Sequence, residues 1–180
     1  MKSKMMMSSL LLGGIVMSTS AMALPAVKDS VAQLINQRLS YMKDVAGYKA
    51  KNHLPVEDLT QEDKVLSDSV AIAEKSGLDG ESVKPFIHAQ MDAAKAIQYR
   101  YRADWLSQRE SGWQPAPLDQ VRVKISALNS EILADISANL KHGVNFTDKQ
   151  AFMQAIAQKN LAPADKKQLW HSLQKITLKQ

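Results

Sequence analysis

Apolar residues recur at spacings of three and four along most of the chain and seldom at two, which predicts a succession of amphipathic helices with no competing strand pattern. The first predicted helix runs from about Ala26 to His53 and carries Val27, Val31, Leu34, Ile35, Leu39, Met42 and Val45 on one stripe. Gly47 is its weak point, and Leu54-Pro55 ends it because the residue before a proline is pushed out of the helical region. A second helix starts at Thr60, whose hydroxyl can cap the turn with Asp63 three residues on, and stops at Gly77. The third spans Asp79 or Ser82 to Gln108, with Pro85 blurring its start. Ser111 to Pro117 is the clearest loop. Leu118 to Lys141 follows as a fourth helix with Leu118, Val121, Ile125, Leu128, Ile132 and Leu133 inward. Thr147 to Gln150 forms a capping box for a short fifth, and Pro163 opens a sixth carrying Leu169, Leu173 and Ile176. The expected fold class is all-α: one compact helical domain of about six helices.

The N-terminus lies outside that pattern. Lys2 and Lys4 precede an apolar run from Met5 to Met17, and Ala21-Met22-Ala23 supplies small residues at a cleavage site. Residues 1–23 therefore read as a cleaved secretory signal, and the run is shorter than the ~20 residues a membrane anchor requires. The expected mature domain is 24–180, located in the periplasm or secreted, with no membrane association after cleavage. Of 23 Lys and Arg only Lys2 and Lys4 leave with the signal, and all 18 Asp and Glu remain, so the formal net charge drops from +5 to +3. That balance gives no nucleic-acid signal. The chain has no cysteine, which rules out thiol catalysis, thiolate zinc sites and iron–sulfur clusters. His53, His88, His142 and His171 are scattered without ligand spacing, so no metal site and no cofactor is expected.

The informative residues are polar groups on apolar stripes. Arg38 lies four residues after Leu34 and seven after Val31, where an unpaired charge is costly. Lys49 follows eleven residues later, about 20° past three full turns, and so projects from the same face. Arg122 sits between Leu118 and Ile125, Gln98 follows Met91 and Ala94, and Asp58 and Glu62 are four apart. Taken singly, each reads as a solvated edge residue or an internal ion pair such as Arg38 with Asp58. Together, three inward cations and an inward amide with few matching acids point to a pocket for a small molecule with more than one carboxylate.

Arg38 followed at eleven by Lys49, then Pro55-Val56-Glu57-Asp58 and Glu62, with Gln98 on a later helix, resembles the AroQ or all-helical class of chorismate mutases. The signal peptide, the segment from Ala96 to Trp105 and the helix bearing Leu118, Arg122, Ile125 and Leu128-Asn129 are similar to its secreted gamma branch. The likeness covers about Val31 to Leu133, the catalytic part, followed by C-terminal helices over 134–180; what lies after about Leu140 resembles the branch only as further helix. It implies the Claisen rearrangement of chorismate to prephenate, an isomerisation needing no nucleophile, hydride or metal. By the same resemblance Arg38 and Arg122 bind the two carboxylates, Lys49 and Gln98 donate to the ether oxygen, and Asp58 with Glu62 accepts from the ring hydroxyl. A homodimer is also implied, each site complete within one chain because Arg122 comes from the same chain. Gln61, a substrate-binding position, stands where the family usually has an arginine, and Ala94 where a hydroxyl residue is common; Lys64 is the candidate replacement cation.

Two other readings compete. An exported helical chaperone or adaptor would use basic faces for acidic partners and display an apolar surface groove. A carboxylate-binding protein without turnover would keep the pocket. Trp105, Trp113 and Trp170 read as core and loop anchors, and the Arg100/Arg102/Arg109 cluster as a solvated face.

Overall fold

The computed structural model describes residues 28–108 and 110–180. The signal segment, its cleavage site, Val27 and Arg109 lie outside the described residues. Among the described residues seven α-helical segments follow one another: α1 (Lys28–Ser40), α2 (Met42–Lys51), α3 (Leu59–Lys75), α4 (Gly80–Ser107), α5 (Leu118–Lys141), α6 (Lys149–Ala155) and α7 (Pro163–Leu173). The single first helix expected from the periodicity is interrupted at Tyr41. The Ser40 hydroxyl donates to the Gln37 carbonyl at 2.6 Å, the acceptor a regular helix would offer to the Tyr41 amide. Tyr41 keeps helical dihedrals, so the stripe carries across the break and Val31, Ile35, Leu39, Met42 and Val45 are all buried.

The helix ends show why α2 and α3 meet at a fixed loop. After Lys51 the amide of His53 bonds Ala50 and that of Leu54 bonds Lys49, a Schellman stop with His53 in the left-handed seat at φ 54°. α3 is capped two residues earlier than expected: Asp58, not Thr60, is the N-cap, accepting from the Gln61 amide at 3.1 Å. A carboxylate accepts there more strongly than a hydroxyl and also suits the helix dipole. For the same reason Asp148, not Thr147, caps α6. At the far end of α3, Gly77 at φ 88° lets the Leu78 amide reach the Ala73 carbonyl, closing a second Schellman motif. α4 begins at the Asp79 cap and runs through Pro85.

Gly47 is in the middle of α2 for a packing reason. A Cβ there would stand 2.4 Å from the Trp113 ring and 3.2 Å from Pro115, so the indole of the α4–α5 loop rests directly on the helix backbone. Trp105 packs against Trp113 at 5.7 Å, and Trp170 against Phe152 at 5.1 Å, as anchors.

α4 is the central element. α2, α3 and α7 pack on it, while α5 packs on α1, α3 and α2. α7 buries Leu169, Trp170 and Leu173. Ile176 is buried too, but beyond the end of α7. The C-terminal tail then returns to the α3–α4 turn: the Asp79 amide donates to Thr177, the Lys179 amide to Gly77, and Leu78 pairs with Leu178. Arg100, expected on a solvated face, instead ties α4 to the start of α7 through Asp165 at 2.5 Å and the Asn160 carbonyl at 2.8 Å.

Candidate active site

The helices leave a cavity of about 400 Å³ whose wall takes residues from α1 through α5. All seven residues singled out from the sequence line it: Arg38, Lys49, Asp58, Gln61, Glu62, Gln98 and Arg122. The apolar part of the wall includes Met42, Val45, Val56, Val65, Met91 and Leu118. A buried polar constellation with apolar walls is what a small polar ligand requires, and it is not the apolar surface groove of a helical adaptor.

Arg38 comes from the last turn of α1 and is only 4% exposed. Its Nε donates to the Asn129 side-chain carbonyl at 2.6 Å and its Nη1 to the Gln90 backbone carbonyl at 3.4 Å. Both acceptors are neutral, and burial pulls its pKa down to about 10. It does not pair with Asp58. Lys49, in the last turn of α2, is 6% exposed and donates to the Val56 carbonyl at 2.6 Å. Burial lowers its pKa first of all, with Asp58 pulling the other way and Arg122 adding to the fall. The α2–α3 loop thus turns its backbone carbonyl to the Lys49 ammonium, which leaves two of that group's three N–H bonds for another acceptor.

Gln98, on the inward face of α4, is 5% exposed. Its Nε2 donates to the Ala94 carbonyl at 3.2 Å and approaches Met42 Sδ at 3.8 Å. Its Oε1 is buried without a partner. Arg122 differs from the inward stripe expected of it, because Asp58 draws it to the rim. The pair closes at 2.9 Å with both side chains about 40% exposed. Asp58 therefore caps α3 with one oxygen and holds Arg122 with the other.

Glu62 has both oxygens engaged, Oε1 by the Asp58 amide at 3.4 Å and Oε2 by Lys95 Nζ at 2.9 Å. Lys64 lines the cavity but pairs with Asp68 at 2.8 Å and is two-thirds exposed. The cation beside Glu62 is Lys95 on α4. Sequence reasoning missed Lys95, although its spacing of three from Gln98 puts it on the same face. The sequence pattern assigns Asn129 no role; it orients Arg38 across 91 residues of chain. Overall the wall carries five cationic side chains, Arg38, Lys49, Lys64, Lys95 and Arg122, against the three carboxylates Asp58, Glu62 and Asp68. The excess of two positive charges complements a dianion.

The chain is similar to known proteins over most of its length. A family profile described as chorismate mutase type II matches residues 25–99. The chain is 55% identical over 150 residues to the secreted chorismate mutase of Yersinia pestis, covering 82% of this chain and 81% of that one. It is 43% identical over 148 residues to the monofunctional chorismate mutase of Enterobacter agglomerans, covering 82% of each. The crystal structure of secreted chorismate mutase from Yersinia pestis superposes with a TM-score of 0.80 at 54% identity, covering 83% of this chain and 98% of that chain. With these identities extending over four fifths of its length, the chain belongs to the type II, all-helical family of chorismate mutases, which are isomerases.

Proposed function

We propose that the cavity binds chorismate and rearranges it to prephenate by posture and charge alone, with no bond formed between substrate and protein. The reaction is intramolecular: the ether C–O bond breaks as a C–C bond forms, and no proton changes hands. What the protein supplies is a fold of the enolpyruvyl arm over the ring and donors for the negative charge that grows on the ether oxygen. The two unused N–H bonds of Lys49 and the amide of Gln98 are those donors. Arg38 at the floor takes one carboxylate bidentately, Arg122 at the rim takes the other, and Asp58 with Glu62 receives the ring hydroxyl. Gln61 contributes wall and a polar contact.

The observation that carries this reading is that Arg38 and Lys49 are both buried on one cavity, and both donate to neutral carbonyls. Two deeply placed cations held by neutral oxygens are costly to the fold and suited to an anionic guest. Loss of chorismate absorbance on adding purified protein tests it. Arg38→Ala and Lys49→Ala are expected to reduce the rate by about 10²–10³-fold, in line with removal of a transition-state donor. Binding of chorismate without any loss of absorbance would instead identify a carboxylate-binding protein.

The same proposal extends to where the reaction takes place. Residues 1–23 serve as an export signal, and 24–180 form the working domain. The lysine-led apolar run and the Ala21-Met22-Ala23 site support this, as does the name of the Yersinia relative as a secreted enzyme. Mass spectrometry of the exported protein, with Leu24 as the first residue, checks it. The homodimer implied by the resemblance is part of this proposal, and sedimentation at working concentration tests it.

A further inference from the structure

We propose that Lys95 is a positioning residue for the hydroxyl end of the substrate, pinning the Glu62 carboxylate so that its free lone pairs receive the ring hydroxyl. This rests on the reading of Glu62 given under the proposed function. Lys95 and Glu62 come from different helices, α4 and α3, and meet at 2.9 Å across the cavity wall. Both line the cavity, and their side chains are only 24% and 21% exposed. The lysine is therefore not simply a solvated face of α4.

The geometry of the carboxylate gives the pairing its purpose. Glu62 Oε1 already accepts the Asp58 amide, a long bond at 3.4 Å that alone leaves the group free to swing. Lys95 fixes the second oxygen, and two anchored oxygens define a plane. Asp92 backs the lysine at 3.5 Å from the other side. The other charged groups on this cavity are engaged elsewhere: Arg122 with Asp58, Lys64 with Asp68, and Lys49 with the Val56 carbonyl. Gln61, next in sequence, brings no charge to the wall. Ion pairs in open water contribute little, but a pair at the edge of a cavity gains strength when the guest displaces water from it.

A simpler role for Lys95 would be general attraction of a dianion. The two roles separate on a chorismate analogue that lacks the ring hydroxyl. Attraction acts on both substrates alike, whereas pinning acts only where there is a hydroxyl to receive. Lys95→Gln is expected to raise KM for chorismate about tenfold with kcat changed less than about threefold, because the hydroxyl contact is present in ground and transition states alike. KM for the analogue stays near the wild-type value. Lys95→Arg, which keeps a charged donor, retains most of the discrimination. Loss of folded protein scales both substrates together and does not imitate this result.

Equal losses on both substrates, or no loss on either, overturn the proposal. Glu62→Ala, which removes the acceptor altogether, serves as the separate arm. If it lowers the discrimination and Lys95→Gln does not, Lys95 has no positioning role while the reading of Glu62 stands. If Glu62→Ala leaves the discrimination intact, the hydroxyl contact and the role of Lys95 fall together, with the assignments of Arg38 and Lys49 untouched.

Discussion

Gln98 and Lys49 face the same cavity as hydrogen-bond donors, yet only Lys49 titrates. An amide donates at any pH, whereas Lys49 donates as an ammonium and burial brings its pKa below the ordinary 10.5. The expected kcat/KM is therefore flat from mildly acidic to mildly alkaline pH and falls at higher pH, earlier than for a solvated lysine. A Gln98→Glu variant donates only when its carboxyl is protonated, so its rate should collapse as pH rises; a variant as alkali-tolerant as the wild type would reject the donor role. Stability has the opposite slope. Between the lowered pKa and the unfolded value the unfolded chain binds more protons at Lys49, so this residue's contribution to stability rises with pH. Asp58 separates two tasks in another way. Asp58→Asn keeps an N-cap acceptor and should preserve the melting temperature while weakening the hold on Arg122 and reducing activity. Asp58→Ala should lower activity and also cost about 1 kcal/mol of stability in chemical denaturation.

At the scale of elements, the sequence was most legible where a helix speaks for itself. The 3.6-residue period gave α5 its limits at Leu118 and Lys141, and the spacing from Arg38 to Lys49 put both on the cavity despite the break at Tyr41. Ends that depend on one local bond were misplaced by a residue or two, as at Asp58 and Asp148, because a carboxylate outcompeted the neighbouring hydroxyl for the cap. Contacts between distant elements left no periodic trace. Gly47 read as a flaw in α2, and only the packed Trp113 shows that the flaw is a socket. Helix propensity alone predicts that Gly47→Ala stabilises by about 1 kcal/mol. The ring stands where the methyl would go, so the expected net effect is a loss of about 1–3 kcal/mol by overpacking, accompanied by a shift in tryptophan fluorescence.

Across the whole molecule, the residues after Lys141 line no part of the cavity. They brace α4 instead. α7 lies along it, Arg100 is tied to Asp165, and the tail closes on the α3–α4 turn. The last forty residues could be read from sequence only as further helix, since this bracing rests on pairs as far apart as Leu78 and Leu178. Ile176→Ala should therefore lower unfolding free energy by about 2–4 kcal/mol through lost burial, with kcat at temperatures well below melting unchanged. A fall in kcat of the same sample at low temperature would mean that the brace also tunes the position of Gln98. The cavity itself is walled by a single chain, from Arg38 to Asn129. If, as proposed, each site is complete within one chain, a solution thinned until every chain is alone should work as fast, chain for chain, as a crowded one.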